Sequence, residues 1–432
     1  MAESLFTTIA ELAERGNPKP NERSVQSCHL HFNGPGASGF GVKRTAMLLP
    51  ESVMLLVAPP CCGRHGTVTG AKTGFEQRMF YLQLAERDLV TGAYLKRIPD
   101  AARRIMATCS PKAILLCMTC VDAMLGTDLK RISKEIQAAA GVPVVACYMD
   151  PISREGKQAP MVSVQRSIMD ALEARERDNK RVNFLGNFVP LQPDSEIFAA
   201  LRAQGIDQFG QISACGTFEE YQKMAGARLN IVINPQAHAS AVDLEQRLQI
   251  PYVDFFDAYS PDRVAEQYEK LGAALGCSFA LEKEKAEAEQ ALRDFAQRHK
   301  GMKIAIGEAI TGNPLELAQT LLEAGLEVSF VLRNIVTPAD FQIIQRLVQK
   351  WPELRVYSGV HPSMKNAELP KADVAIGLDA GYFLKDAVSV NYSMEIHSLG
   401  YRKLPSLLAL VEQRLEKPLG HKEQMHGSYL TV

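Results

Sequence analysis

The chain has 432 residues, of which 46% are hydrophobic, and its formal net charge is −1. This length exceeds what a single hydrophobic core supports, so we expect two or three domains. The balanced charge excludes the basic surface that nucleic acid or an anionic membrane attracts, and we expect neither as a partner. The N-terminal segment has no signal-peptide pattern and no apolar run approaches the about 20 residues of a membrane span. We therefore expect a soluble, cytoplasmic protein.

Short β-branched or aliphatic runs, which are typical of buried strands, recur along the chain. In chain order they are SVMLLVA (52–58), AILLCM (113–118), VPVVACYM (142–149), NFLGNFV (183–189), LNIVI (229–233), MKIAIG (302–307), EVSFVL (327–332), RVYSGV (355–360) and ADVAIG (372–377). Helical-period segments such as GTDLKRISKEIQAAAG and NPLELAQTLLEAGL separate most of them. This alternation predicts an α/β fold with three Rossmann-like domains, in which helices flank parallel sheets.

Two segments suggest where the domains end. PISREGKQAP (151–160) is polar and bracketed by prolines, and LEKEKAEAEQALRDFAQRHKG (281–301) is a charged helix that ends at a glycine. The strand–helix pattern restarts after that helix. We predict a first α/β domain at 1–160, a second at 161–280, and the long helix with a third α/β domain at 281–432.

Two glycine-rich segments resemble nucleotide-binding motifs. GPGASG, with Gly34 and Gly36, has the spacing of the dinucleotide fingerprint, but its neighbours do not read as the required strand and helix. A loop in which the backbone approaches a bulky group is the better interpretation. GTVTGAKT (66–73) has Ala71 where the P-loop spacing requires glycine. We therefore expect no ATP hydrolysis in this chain.

The chain has nine cysteines, scattered along its length. In a reducing compartment such thiols are free, catalytic or metal-bound. CMTC (117–120) at the end of a predicted strand could be a redox dithiol, part of a zinc site that lacks its second C-x-x-C, or a source of one cluster thiolate. The alternative is that these cysteines are buried core residues, since free cysteine is among the most buried residue types.

The cysteine-bearing turns, taken together, favour a metal cluster. Cys28 precedes the glycine-rich loop, Cys61 and Cys62 follow one predicted strand, and Cys120 follows another. The carboxyl ends of parallel strands converge on the crevice where such sheets bind ligands. Thiolates are the usual ligands of iron–sulfur clusters. Three turns supply three ligands, so the fourth comes from another residue, an exogenous ligand or a partner chain, and a symmetric dimer supplies a second set of three.

Two histidines follow predicted strands in the later part of the chain. His238 lies in NPQAHAS and His397 in SMEIHSLGYRK. Each is either an ordinary helix-start or core histidine or a ligand, and the sequence pattern favours the ordinary role.

The order of these motifs resembles the nitrogenase component 1 superfamily. That group includes the nitrogenase catalytic component, the dark-operative protochlorophyllide reductases and the reductive cyclase of coenzyme F430 synthesis. APPCCG resembles the family's Gly-Pro-x-Gly-Cys-Gly turn, AERDLVTGA (85–93) its Glu-Lys-Asp-Ile-Val-Phe-Gly-Gly segment, and CVDAMLGTDL (120–129) its Cys-Pro-x-x-Leu-Ile-Gly-Asp-Asp stretch. VNFLGNF, GTFEEYQKMAGARLNIVI and the charged helix before MKIAIG resemble the second domain and its junction with the third. The resemblance covers nearly the whole chain and implies a nitrogenase component 1-like fold.

The resemblance implies that Cys28, Cys62 and Cys120 are cluster ligands. Cys61 then stands where the family has glycine, and Cys61 and Cys117 rank behind the other three as ligands. The implied cofactor is an iron–sulfur cluster, [4Fe–4S] or larger, at a subunit interface. The glycines expected to contact it are Gly34, Gly36 and Gly63.

The departures from nitrogenase concern its large cofactor. The cysteine that holds the iron–molybdenum cofactor falls here at about Asn234, and only His397 is a counterpart of the cofactor's histidine. We therefore expect no nitrogenase iron–molybdenum cofactor. Asn234, His238 and His397 are the candidate residues of the interdomain cleft.

The main functional hypothesis is a catalytic subunit of a nitrogenase-like reductase. It pairs with itself or with a paralogous sister subunit, receives electrons from an ATP-dependent iron–sulfur reductase, and passes them to a small molecule such as a tetrapyrrole. The alternative is a non-catalytic scaffold of the same superfamily, on which a metal cluster is assembled before transfer. A third hypothesis is an α/β protein without metal.

Overall fold

The structure is a computed structural model that describes residues 5–18, 24–25, 30, 32, 45–60, 75–148, 160–392, 398–420 and 423–424. The strands are β1 Thr7–Thr8, β2 Ser52–Ala58, β3 Met79–Gln83, β4 Ala113–Met118, β5 Val144–Tyr148, β6 Asp178–Leu185, β7 Gln208–Gly210, β8 Ala227–Val232, β9 Tyr252–Asp254, β10 Lys303–Ile306, β11 Glu327–Leu332, β12 Arg355–Tyr357, β13 Val374–Ile376 and β14 Val388–Val390. The α-helices are α1 Ile9–Glu14, α2 Glu86–Thr91, α3 Tyr94–Cys109, α4 Cys120–Met124, α5 Leu129–Ala140, α6 Pro160–Met169, α7 Glu196–Ala203, α8 Phe218–Gln222, α9 His238–Leu248, α10 Pro261–Leu275, α11 Glu282–Arg298, α12 Pro314–Glu323, α13 Pro338–Leu347, α14 Leu378–Phe383 and α15 Lys403–Glu416.

The strands form three sheets, which confirms the predicted α/β class with parallel sheets flanked by helices. Sheet one has the order β3-β2-β4-β5 and is parallel throughout. Sheet two has the order β7-β6-β8-β9 and is also parallel. Sheet three has the order β1-β12-β11-β10-β13-β14, and its edge strand β1 is antiparallel to β12.

The central strands of sheet one match the sequence prediction residue for residue. Every residue of β2 and of β4 is buried. A parallel strand covered by helices on both faces loses water contact on both sides, which is why these strands read as unbroken apolar runs. Helices α3 and α5 contribute apolar side chains to the core on one face of this sheet.

Some predicted bounds shift because of backbone geometry. The run NFLGNFV predicts a strand that continues to 189, but β6 ends at Leu185 because Gly186 has a φ of +109°. That φ lies outside the β region and favours glycine. Strands β1, β3, β7, β9 and β14 were not predicted, and all but β3 have only 2 or 3 residues, too few for a detectable period.

The helix ends follow capping rules that the sequence carries. The side chain of Asp128 accepts the amide N–H of Arg131 at 3.0 Å at the start of α5, and Gly141 ends that helix with a φ of +71°. The charged helix predicted at 281–301 is α11, and Gly301 after it has a φ of +80°. No helix among the described residues is long and apolar enough to cross a membrane.

The chain divides into two compact units. The middle unit comprises Gly39–Pro190 and Ile206–Asp254, and it contains sheets one and two. The terminal unit comprises Met1–Ser38, Leu191–Gly205 and Phe255–Leu430, and it contains sheet three. The finer division at 1–160, 161–280 and 281–432 stays a prediction.

Candidate functional site

Several sequence-predicted site residues lie outside the described residues. They are Cys28, Gly34, Gly36, Cys61, Cys62, Gly63 and His397. The structure describes the other four, which are Cys117, Cys120, Asn234 and His238. All four belong to the middle unit.

Cys120 lies at the carboxyl edge of sheet one. Strand β4 ends at Met118, which pairs with Val57 of the neighbouring strand β2. Cys120 is the first residue of α4 and is partly exposed. A thiol at this edge is where a parallel sheet presents ligands, and thiolates are the donors that iron–sulfur clusters take. Its position and chemistry therefore fit a cluster ligand.

Cys117 differs from Cys120 in its surroundings. It lies within β4, is fully buried, and has Cys147 of β5 as its partner across the strand pair. A side chain inside the covered sheet does not reach the carboxyl edge. Among the residues that the structure describes, no group of three histidine, cysteine or acidic side chains could hold a metal ion. A complete cluster site therefore needs ligands from other segments.

Two groups of contacts join the elements that follow the strands of sheet one. The hydroxyls of Tyr94 and Thr127 share a hydrogen bond of 2.6 Å, which joins the start of α3 to the loop after α4. The carboxylate of Asp88 accepts the amide N–H of Ala85 at 3.0 Å and a guanidinium N–H of Arg97 at 2.8 Å. The hydrogen bond from Ala85, helped by Arg97, lowers the pKa of Asp88. The AERDLVTGA segment thus forms an anchored helix start beside this edge.

Large apolar side chains are exposed in the same part of the middle unit. Val90 in α2 is 87% exposed and Met124 in α4 is 75% exposed, and Leu125 follows Met124. Exposed apolar groups of this size are typical of protein interaction surfaces when they cluster. These residues were not among the predicted site residues, although an apolar pair directly after a predicted ligand turn was a usable signal.

A second polar group lies at the carboxyl edge of sheet two. The side-chain oxygen of Asn234 accepts the amide N–H of Gln236 at 3.0 Å and caps a short 3-10 turn. His238 begins α9 directly after this turn, and its Nδ1 lies 2.9 Å from Oδ1 of Asp254. Gly186 leaves no room for a side chain here, since a Cβ would lie 2.6 Å from Cβ of Asn234. The edge therefore brings together two predicted candidates, Asn234 and His238.

Asp254 and Tyr252 were missed by sequence reasoning. Both lie in β9, and the ring of Tyr252 meets the His238 ring edge-on at 5.3 Å between centroids. The usable signal was an aspartate at the end of a short apolar strand, in the position where sheet-edge ligands occur.

Cys215 follows β7 of sheet two, and its thiol is hydrogen-bonded within the protein. Its Sγ–H donates to the carbonyl of Gln211 at 3.3 Å. Burial raises the pKa of Cys215 to about 11. Because the thiolate is the form that binds metals, this cysteine is poorly suited to be a ligand.

The carboxyl edge of sheet three, in the terminal unit, carries a buried charge cluster. Arg333 donates to Glu308 at 3.2 Å and to Asp340 at 2.8 Å. Glu308 also accepts the amide N–H of Asn334, and Asp379 accepts the amide N–H of Glu308 at 2.7 Å. Two carboxyl groups, Glu308 and Asp340, thus share one guanidinium, and a third, Asp379, lies on the backbone of Glu308. Burial raises the pKa of Glu308 to about 7 and that of Asp379 to about 6.

Glu308 is expected to make the terminal unit less stable as the pH rises. Its pKa in the folded protein, about 7, exceeds its ordinary value of 4.5, so between these values the folded state binds more protons than the unfolded state. The free energy of unfolding therefore falls as the pH rises through 7, by a total on the order of 3 kcal/mol from this group. Glu308→Gln should remove this part of the pH dependence.

Urea unfolding at pH 5 to 8.5, followed by the fluorescence of Trp351, measures this effect. Trp351 is the only tryptophan of the chain and packs against the core of the terminal unit. Glu353→Gln, at an exposed glutamate of the same unit, controls for the loss of one carboxylate. Parallel pH curves for the wild type and Glu308→Gln would contradict the assignment.

A sequence profile of the family described as Nitrogenase component 1 type Oxidoreductase matches residues 38–394. The chain belongs to the nitrogenase component 1-type oxidoreductase family. The resemblance inferred from the cysteine turns and their order is thereby confirmed. The solved structure titled "Nitrogenase Cp1 at pH 6.5" has the same fold, with a TM-score of 0.67 at 17% identity over 91% of this chain and 95% of that chain.

The curated relatives of this family member carry a different functional name. The chain is 24% identical to the nitrogenase iron-molybdenum cofactor biosynthesis protein NifE of Rhodobacter capsulatus, over 97% of this chain and 94% of that protein. It is 26% identical to the protein of the same name from Klebsiella pneumoniae, over 76% of this chain and 77% of that protein.

These relatives overturn the main functional hypothesis. A catalytic subunit of a nitrogenase-like reductase was expected, but the matched proteins are named for cofactor biosynthesis. The expectation was wrong because fold and motif order are shared across the nitrogenase component 1-type family. They therefore do not separate its reductases from its biosynthetic members.

Proposed function

We propose that this chain is a non-catalytic scaffold on which a metallocluster is assembled before it is transferred to another protein. The observation that carries this proposal is the similarity, over 97% of the chain, to a protein named for iron-molybdenum cofactor biosynthesis. The metallocluster is then cargo, which the scaffold receives and releases. The expectation that no iron–molybdenum cofactor is resident in this chain agrees with that role.

The side chain of Asn234 supports a site that releases its cargo. The resemblance to nitrogenase aligns Asn234 with the cysteine that holds the cofactor in the catalytic component. An amide is a far weaker ligand for iron than a thiolate, and the Asn234 oxygen already accepts the N–H of Gln236. A cluster held without that thiolate dissociates more readily.

A resident iron–sulfur cluster is a separate element of the proposal. Cys28, Cys62 and Cys120 hold it, with Cys61 as a lesser candidate and Cys117 disfavoured by its burial within β4, and the cluster is [4Fe–4S] or larger. The partial exposure of Cys120, directly after β4 and beside the end of β2, supports this role for it. Three ligands per chain leave one position open, and we propose that a second chain completes the site.

The proposed partners are a second copy or a paralogous sister subunit, and an ATP-dependent iron–sulfur reductase. The exposed apolar side chains Val90, Met124 and Leu125 support an interaction surface in the part of the middle unit that contains Cys120. The cytoplasm is the proposed compartment, since free thiols of this number persist in reducing conditions.

Anaerobic purification with iron and sulfide quantification tests the scaffold role. After loading with ferrous iron and sulfide, we expect about two tightly held irons per chain from a shared four-iron cluster. We also expect further iron that a chelator removes within minutes, and no steady-state consumption of reductant. The proposal would be contradicted if the protein kept all of its iron in the presence of the chelator and consumed dithionite continuously.

A further inference from the structure

The pair formed by His238 and Asp254 links two neighbouring strands of sheet two. His238 follows β8 and Asp254 ends β9, and the two strands pair in register through Val232 and Asp254. The distance from Nδ1 of His238 to Oδ1 of Asp254 is 2.9 Å. A carboxylate only accepts hydrogen bonds, so Nδ1 carries the proton.

This hydrogen bond determines which imidazole nitrogen is available. With the proton on Nδ1, the lone pair of the neutral ring is on Nε2. The side chain of His238 is 43% exposed, and among the described residues Nε2 has no hydrogen-bond partner. The edge-on contact with Tyr252 further fixes the ring. Nε2 of His238 therefore presents an oriented, accessible lone pair at the carboxyl edge of a parallel sheet.

A histidine held in this way has the arrangement of a metal ligand. Metal-bound histidines almost always donate their other ring N–H to a carboxylate, a carbonyl or water, which fixes the tautomer and raises the basicity of the ligand nitrogen. Imidazole nitrogen is a suitable ligand for iron. Cys215, which follows β7 of the same sheet, is only partly exposed and desolvation raises the pKa of its thiol, so it is a poorer ligand than His238.

A second histidine–carboxylate pair, His299 and Glu412, differs from the first because its carboxylate is shared and its ring is packed against the core. His299 lies 3.3 Å from Glu412, but that carboxylate also accepts N–H groups of Arg298 at 3.0 and 2.5 Å. The His299 ring packs on Phe295 with centroids 4.5 Å apart and is less exposed than His238. Among the described residues, the Asp254 side chain makes its hydrogen bond to His238 and has no arginine partner of this kind.

We propose that Nε2 of His238 coordinates an iron atom of the cargo metallocluster and that Asp254 is its positioning residue. This assignment rests on the proposed scaffold function, and it names one residue from which the cargo is held and released. The single nitrogen ligand supplied here is weaker than a set of thiolates, which agrees with transient binding.

Pulsed electron paramagnetic resonance on protein labelled with ¹⁵N-histidine tests the assignment. The protein is loaded anaerobically with ferrous iron and sulfide, and the reduced clusters are examined for a coupled ¹⁵N nucleus. We expect the coupling in the wild type and in His299→Ala, and its loss in His238→Ala. Asp254→Asn keeps a hydrogen-bond acceptor, so the coupling should persist while the chelator-labile iron binds about 10- to 100-fold more weakly.

The outcomes separate this inference from the scaffold function. If labile iron binds equally well to the wild type and His238→Ala and no histidine nitrogen is coupled, the ligand assignment is overturned while the scaffold function stands. If the wild type takes up no labile iron, the scaffold function fails, and the ligand assignment fails with it. Circular dichroism of each variant shows that a lost coupling does not reflect unfolding.

Discussion

Cys120→Ala is expected to remove nearly all tightly bound iron from the anaerobically purified protein. A cluster at an interface with three thiolates from each chain loses one ligand per chain in this variant. Because an Fe–S cluster is held by its cysteine thiolates, loss of one leaves an iron without its protein ligand. We expect a fall from about two irons per chain to less than about 0.3, together with loss of the charge-transfer absorbance of the cluster.

Cys109→Ser is the matched control for this experiment. Cys109 is an exposed cysteine at the end of α3 in the same unit, away from the strand ends that the cluster site requires. Its replacement should leave the iron content unchanged. Equal iron content in Cys120→Ala and the wild type would show that Cys120 is not a ligand. Cys117→Ala is a second control, and its iron content should equal that of the wild type because the Cys117 side chain is buried within β4.

Lys403→Met is expected to destabilise the terminal unit by about 3–5 kcal/mol, because it leaves a buried carboxylate without its cation. Lys403 is fully buried and its ammonium pairs with Asp257, whose side chain is 7% exposed. The ring of Tyr259 lies under the ammonium at 4.5 Å. Burial lowers the pKa of Lys403, and Asp257 opposes that shift. Each partner of this buried pair therefore stabilises the charged form of the other.

Replacing both partners should restore most of the lost stability. In Lys403→Met/Asp257→Val neither charge is buried, and such apolar replacements of buried ion pairs are often neutral or stabilising. A double-mutant cycle from urea unfolding, followed by Trp351 fluorescence, gives the coupling between the two sites. Trp351 reports on the terminal unit because it packs on that unit's core.

The neighbouring residue supplies the control for this second prediction. Arg402 forms an ion pair with Asp194 at 3.3 Å, and both side chains are more than half exposed. Exposed pairs contribute about 0–1 kcal/mol, so Arg402→Ala should have a small effect. A loss of less than about 1 kcal/mol in Lys403→Met would mean that water reaches the Asp257 carboxylate after the substitution.

The order of the motifs in this chain is specific for the family but not for one function within it. The cysteine turns and the Asn234 position identified the family and the departure from nitrogenase. They did not distinguish a reductase from a scaffold, because the family's fold and motif order are common to both. That choice came from the relatives over the length of the chain. The absence of a thiol at Asn234 argued against the nitrogenase cofactor, but it did not choose between a reductase and a scaffold.

The sequence by itself determined the elements whose information is local. The apolar runs of β2 and β4, the caps of α5 and the placement of Cys120 directly after a strand follow from residue types within a few positions of one another. Burial on both faces produces such runs, and capping groups satisfy the free amides of a helix end, so the chain itself carries these signals.

Only the tertiary structure decided which distant side chains meet. Asp254 lies 16 residues from His238, Asp340 and Asp379 reach the Glu308–Arg333 pair from different helices, and Lys403 meets Asp257 from α15. Strand order and register set these contacts, and no periodicity of the sequence encodes them. Their physical consequences, a fixed imidazole tautomer and raised carboxyl pKa values, depend on burial and on partners that lie far away along the chain.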